Sequence, residues 1–352
     1  MDDANLRTLK SVLESAKAAK DISVIRRALS AYLLAFPTQA APLIDVGEET
    51  PLEPEFIASE LRQIIDSETI ERAQHYINRL LKGFDAVRTN GVNDINLNRW
   101  KACDDILTDS LWLIDKRDNS GVHHAGYWGN FVPQIPQQLI RRYTRKGDLV
   151  IDPFLGSGTT LIECRRLGRD GLGIELKEDV CDRTRRLLDL ERDLFTNDSR
   201  MNVVCSDSAT VDYPSALRDM GVSSAQLAIL HPPYWDIIQF SEDPRDLSNA
   251  DGLNAFIDGL GKVVDNVLTV IEPKRHLALV IGDKFSKGEW IPLGFLAMQS
   301  IQAKGCLLKS VVVKNYEDTM GKRNVRQLWR YRALAGGFYV FKHEYIFIFQ
   351  KR

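Results

Sequence analysis

The chain is poor in cysteine. Its 352 residues hold five, Cys103, Cys164, Cys181, Cys205 and Cys306, and none forms a CxxC pair. That argues against a disulfide framework and against structural zinc, and it points to a reducing cytoplasm. Long apolar runs are missing too: none reaches the roughly 18 consecutive residues of a membrane span. The opening MDDANLRTLK lacks the apolar stretch of a secretory leader. The expectation is therefore a cytoplasmic protein with no membrane partner. There is no internal repeat and no low-complexity tract.

Charge of one sign is also scarce overall, at a net −2. Its distribution is uneven. Residues 301–352 carry 11 Lys and Arg against 3 Asp and Glu, while the first 300 residues are net negative. Such asymmetry marks one local surface for a polyanion rather than a globally basic protein.

Two textures divide the chain. From residue 4 to about 85 apolar residues recur at helical spacing, as in Leu6, Leu9, Val12, Leu13 and Ala16, with a Pro-containing break at 37–54. This predicts four or five short helices. From about 148 short apolar runs alternate with helical stretches. Candidate strands are 148–154, 171–176, 202–207, 227–233, 276–283, 309–315 and 343–350. Runs this apolar suit strands covered on both faces, as in a parallel α/β sheet. Helices are expected at 159–167, 178–194 and 253–271. The last two strands lack a convincing helix between them and are free to pair antiparallel. The predicted division is a helical module over 1–110 and an α/β domain over 111–352.

The segment DPFLGSGTTLIEC runs from Asp152 to Cys164. It reads as a strand end, a tight turn at Gly156 and Gly158, and a helix opened by Thr159 and Thr160. Glycines there let a ligand approach the backbone. No GKS or GKT follows, so this is no P-loop, and the pattern is not GxGxxG. Glu175 ends the next strand, about 20 residues on, where an acid can bind two ribose hydroxyls. Asp207 ends the strand after that and suits an adenine amino group. Taken singly, each acid reads first as a solvated strand end; their placement on successive strands gives them weight.

The fourth strand ends in HPPYW, His231 to Trp235. Two prolines fix the backbone and remove two N–H donors. Neighbouring carbonyls are left as acceptors, and Tyr234 offers a face for stacking a planar base.

DPFLGSGTT followed by HPPYW resembles the amino-methyltransferases of DNA, which modify cytosine-N4 or adenine-N6. The segment 131–150 and the ending KHEYIFIFQK resemble further parts of that family, so the likeness covers about 120–352. It implies a Rossmann-like class I methyltransferase sheet, mostly parallel with its last strand antiparallel, and S-adenosylmethionine as cofactor. By the same resemblance Asp152, Pro153, Phe154, Gly156, Ser157, Gly158, Thr159 and Thr160 lie along the cofactor. Glu175 holds its ribose, Asp207 with Ser208 the adenine edge, and Phe131 with Pro133 the other wall. His231, Pro232, Pro233 and Tyr234 form the catalytic tetrapeptide. Its first position departs from the family's Asp, Asn or Ser. A neutral imidazole accepts a hydrogen bond there and a protonated one cannot. An unperturbed histidine would lose that role below pH ~6.5.

The context of HPPYW and the chain's ending favour cytosine-N4 over adenine-N6. An RNA guanine-N2 methyltransferase and an inactive DNA-binding subunit are the rivals. About 75 residues separate the two motifs, too few for an inserted target-reading domain, which leaves the N-terminal helices and the loops. The segment 320–337 interleaves Lys322, Arg323, Arg326, Arg330 and Arg332 with Trp329 and Tyr331, a composition suited to phosphates and bases of double-stranded DNA. His123 and His124 are candidates for the mouth of the site, and no metal is expected. A cognate restriction or defence protein is the expected partner.

Overall fold

The computed structural model describes residues 3–36, 52–123, 129–194, 197–316 and 326–352. The chain divides into two compact units, Met1–Ile106 and Leu107–Arg352.

The first unit is helical. Its helices are α1 (Asp3–Lys17), α2 (Ile22–Ala35), α3 (Pro54–Ile65) and α4 (Ile70–Asp85). Asp21 caps α2 by accepting the Ser23 N–H, and Thr69 caps α4 by accepting that of Arg72, so two otherwise unpaired donors are satisfied. The apolar stripes foreseen from the spacing form one core, with Leu9, Leu13, Ile25, Leu29, Ile57, Leu61 and Ile77 fully buried.

The second unit is a three-layer α/β structure. Its strands are β1 (Leu111–Trp112), β2 (Leu149–Asp152), β3 (Asp170–Glu175), β4 (Met201–Cys205), β5 (Ala225–Leu230), β6 (Ile271–Ile281), β7 (Lys284–Ser286), β8 (Glu289–Ile291), β9 (Leu307–Asn315) and β10 (His343–Gln350). Its helices are α5 (Gln134–Tyr143), α6 (Thr159–Arg166), α7 (Glu178–Leu194), α8 (Tyr213–Asp219), α9 (Leu253–Leu268), α10 (Leu293–Ala303) and α11 (Arg326–Gly336). Eight strands make one sheet in the order β1-β9-β10-β6-β5-β2-β3-β4, and only β10 runs antiparallel to its neighbours. This is the expected class I methyltransferase architecture.

Alternate residues of the central strands feed opposite layers. Leu227 and Ile229 of β5 pack with Ile135 and Leu139 of α5, while Ala228 and Leu230 pack with Phe256 and Leu260 of α9. The same alternation divides Ile346 and Ile348 from Phe347 and Phe349 on β10. Two-sided burial is why these strands read as unbroken apolar runs.

Several features went unforeseen, α8 and α10 among them; a further three stand out. β1 has two residues. β7 and β8 form a hairpin turning at Lys287 and Gly288, both at positive φ, the geometry of a tight primed turn. The third is α11, which stands between β9 and β10 where no helix was expected. Its residues are largely exposed, Leu328, Tyr331 and Leu334 among them. Among the described residues, no helix is long and apolar enough to cross a membrane.

Candidate active site

Asp152 ends β2, Glu175 ends β3, and His231 follows the last residue of β5. Parallel pairing brings these three strand ends to one edge of the sheet, the edge where open α/β sheets bind ligands.

On the β2–β4 side the groups hold one another through short loops. Asp152 is fully buried; its carboxylate accepts the Thr160 hydroxyl and the Phe154 N–H. Burial outweighs those two bonds and, with the neighbouring Glu175 charge, pushes its pKa up to about 6. Glu175 accepts the Gly156 N–H at 2.9 Å on one oxygen and the Lys177 N–H at 3.0 Å on the other. Its pKa is raised by burial, against three backbone donors that lower it. Asp207 accepts the Ala209 N–H on Oδ1, and the Ser208 hydroxyl donates to the Pro153 carbonyl. Thr159 donates to Asn130 Oδ1, and Ser157 is buried. Gly158 sits at φ +80, and a Cβ there would lie 2.5 Å from Thr184 Cγ2, so packing against α7 alone requires glycine.

This donor set fits an adenosine carrying a cationic side chain. Glu175 keeps lone-pair capacity beyond the backbone N–H groups it receives, which a ribose hydroxyl can use. Asp152 and Asp207 supply further negative charge along the same edge.

On the β5 side the groups come from distant parts of the chain. The His231 ring packs on Phe131, with ring centres 4.6 Å apart, and stands edge-on to Tyr234 at 5.7 Å. Pro133 opens α5, which carries the segment of Phe131. Pro232 is buried. Burial lowers the His231 pKa to about 4; Glu344 opposes that shift and Lys314 adds to it. The imidazole is therefore neutral well below the pH ~6.5 of an ordinary histidine. The Tyr234 hydroxyl donates to Glu344 Oε2 at 2.7 Å, and Glu344 Oε1 pairs with Lys314 Nζ at 3.2 Å. The tyrosine ring lies close to Gly282, where a Cβ would be 2.9 Å from Cε2. Trp235 holds φ +52, an outlier for a bulky residue. Its indole N–H donates to the Ala250 carbonyl, and the Lys284 ammonium lies 3.9 Å over its ring.

The remaining predicted residues lie elsewhere. Arg326, Arg330 and Arg332 belong to α11, in the β9–β10 connection. β9 runs parallel to β5 and β6, so that connection leaves the sheet at the catalytic edge. Arg330 and Arg332 are exposed, and the Arg332 guanidinium lies 5.3 Å from the Trp329 ring centre. Lys322, Arg323 and His124 lie outside the described residues. His123 does not line the mouth: it is buried, with Nε2 2.6 Å from Glu163 Oε1 on α6. Glu344 and Lys314 were not foreseen; their one signal was a charge inside an apolar strand, Glu344 alone in β10 and Lys314 together with Lys309 in β9.

The family model described as DNA methylase (N6_N4_Mtase) matches residues 74–186. That span contains the Gly-rich turn and Glu175, begins well before residue 120 and stops short of His231. The chain is 41% identical over 70 residues to the Type II methyltransferase M.MjaII of Methanocaldococcus jannaschii, covering 20% of this chain and 13% of that protein. It is 30% identical over 127 residues to the Type II methyltransferase M2.DpnII of Streptococcus pneumoniae, 35% of this chain and 40% of that one. A third similarity is to the Type II methyltransferase M.HpaI of Haemophilus parainfluenzae, 36% identical over 66 residues, 18% of this chain and 21% of that protein. The matches thus span well under half of these relatives.

Proposed function

We propose, from the premise that this chain belongs with the DNA amino-methyltransferases, that it methylates the exocyclic amino group of a base flipped out of duplex DNA, cytosine-N4 in preference to adenine-N6. One observation carries the reading. Three carboxylates suited to an adenosine cofactor and an HPPY segment with a neutral acceptor share one sheet edge. S-adenosylmethionine, when bound, supplies a methyl group made electrophilic by its sulfonium.

The rest is the work of this chain's residues. Glu175 binds the ribose hydroxyls, Asp207 and Ser208 the adenine edge, and Phe131 with Pro133 closes the pocket. Asp152 and the turn from Pro153 to Thr160 follow the methionine portion. Flipping the base costs about a few kcal/mol, which stacking on Tyr234 partly offsets. An exocyclic amino group is a weak nucleophile because its lone pair is delocalised into the ring. Accepting its hydrogens at the Pro232 carbonyl and at His231 favours a pyramidal nitrogen. Pro233 holds the backbone so that these acceptors and the ring keep their places, and such alignment contributes much of the rate.

Arg326, Arg330 and Arg332 of α11, with Lys322 and Arg323, supply phosphate contacts. We assign catalysis to 111–352 and target recognition or protein contacts to the helical module 1–110. The preference for cytosine rests on the HPPYW context and the HEYIFIFQ strand. The cytoplasm and service to a restriction or defence system follow as part of the same proposal.

The test is methyl transfer from labelled cofactor to duplex DNA and to RNA, followed by mass spectrometry of the nucleosides. N4-methylcytosine in DNA is expected, with His231→Ala slower by about 10²-fold or more, as for loss of a positioned hydrogen-bonding group. N6-methyladenine alone would overturn the base preference. Label in RNA alone, or none despite bound cofactor, would favour an RNA enzyme or an inactive subunit.

A further inference from the structure

Tyr234 sits between His231 and a buried ion pair that the proposed reaction has not used. Glu344 on β10 and Lys314 on β9 are directly opposed across the antiparallel ladder. Both are buried, and their charged atoms are 3.2 Å apart. A carboxylate held by an ammonium has no proton to give. The 2.7 Å bond between Glu344 and Tyr234 therefore runs one way: the phenol donates and the carboxylate accepts.

That direction has a consequence three residues back. The Tyr234 hydroxyl has one hydrogen, and Glu344 takes it. His231 Nε2 lies 3.3 Å from the same oxygen, which has only lone pairs left to offer. Nε2 must then carry the hydrogen and donate. Burial keeps the imidazole neutral, so a ring with hydrogen on Nε2 has none on Nδ1.

We infer that Glu344 and Lys314 are positioning residues that fix the His231 tautomer through Tyr234, leaving Nδ1 as the acceptor for the target amino group. The assignment of that acceptor to the target rests on the proposed function; the hydrogen-bond chain does not. It gives the family's departure at the first tetrapeptide position a physical meaning. An Asp, Asn or Ser side chain carries an oxygen that accepts without outside help. A histidine accepts at a chosen nitrogen only if something holds its hydrogen on the other. The buried pair on the two edge-side strands supplies that constraint from more than 80 residues away in sequence.

Two readouts test this. The first is the tautomer, read from nitrogen chemical shifts of histidine-labelled full-length protein, with His231→Asn identifying the signal. Wild type should show hydrogen on Nε2 at neutral pH. Glu344→Gln replaces a pure acceptor by an amide that also donates, so hydrogen should move to Nδ1 or divide between the nitrogens. Because Glu344→Gln leaves the Lys314 ammonium buried without its counter-charge, the double variant Lys314→Met, Glu344→Gln and the single variant Tyr234→Phe are measured alongside it. The second readout is kinetic. Glu344→Gln should lower kcat by about 10²-fold, the scale of a lost positioned hydrogen-bonding group, with KM for DNA and cofactor affinity held within about twofold. Hydrogen on Nδ1 in wild type, a tautomer unchanged in every variant, or a loss confined to KM would each overturn the inference. A tautomer that responds as expected in a protein that methylates no nucleic acid would overturn the proposed function and leave the hydrogen-bond chain standing.

Discussion

The two halves of the proposed catalytic edge are built by opposite means. Around β2, β3 and β4 the carboxylates are held mostly by nearby backbone N–H groups: Asp152 by Phe154, Glu175 by Lys177, Asp207 by Ala209, each two residues on, with the Gly156 N–H and the Thr160 hydroxyl adding to Glu175 and Asp152. Around β5 the HPPY segment is held by side chains from β9 and β10, with Glu344 meeting Tyr234 across 110 positions. Local backbone bonds make a site that survives as long as its turn does. A long-range side-chain network makes one that any of several distant substitutions can detune, since networks of this kind stand or fall together.

The comparison is broken most directly by removing one carboxylate from the local half. Glu175→Ala should weaken S-adenosylmethionine binding about 10- to 100-fold, the loss expected when charge-assisted hydrogen bonds go. Turnover at saturating cofactor should stay near wild type. Calorimetry measures the first and single-turnover methylation the second. If kcat falls as far as affinity does, the halves are not separable and the division is wrong.

This division also sorts what the sequence could reveal. Asp152, the glycines and Glu175 were legible because a strand end, a turn and a helix start leave a signature within a short stretch of chain. The parallel strands were legible because two-sided burial writes itself as apolar runs, and α7, expected at 178–194, is assigned over Glu178–Leu194. Glu344 and Lys314 were not. Each is a charge in a largely apolar strand, and only antiparallel pairing in the correct register sets them face to face. Nor was α11, an exposed helix whose apolar residues Leu328, Tyr331 and Leu334 stay open to solvent, or the depressed His231 pKa, which depends on what covers the ring. His123, close to Tyr127 and Trp128 in the sequence, proved to be a partner of Glu163 inside the fold.

A smaller effect is expected from α11, which belongs to neither half. Arg330 and Arg332 are exposed on the connection that leaves the catalytic edge. Replacing both with Ala should lower the slope of log affinity against log salt by about one for each phosphate no longer neutralised. The shift should be the same for unrelated DNA sequences, because phosphate contacts carry no base information. A weakening that depends on sequence would assign these residues to base reading instead.

The smallest expected effect is one that an ordinary histidine would make large. With the His231 pKa near 4, its ring stays neutral at pH ~6.5, where a free imidazole would be half protonated. Below about pH 6.5 an unfolded chain would take up that proton and the folded one would not, so this group removes stability as pH falls from about 6.5 towards 4. Asp152 behaves in the reverse sense. Its pKa near 6 lies above the ordinary carboxyl value, so the folded state binds the proton more tightly, and stability from this group is gained as pH falls through about 6. Function should divide along the same line. Protonating Asp152 removes negative charge beside a cationic cofactor, so cofactor affinity should weaken below about pH 6. The kcat at saturating cofactor should change less than about twofold between about pH 8 and 5.5, because the acceptor in the other half has not titrated. Rate profiles at saturating and at limiting cofactor separate the two. An acid limb in kcat near pH ~6.5 that disappears in His231→Asn would show that the ring is solvated in the working enzyme. An unchanged cofactor affinity through about pH 6, paired with a flat kcat, would instead release Asp152 from any contact with the bound cofactor.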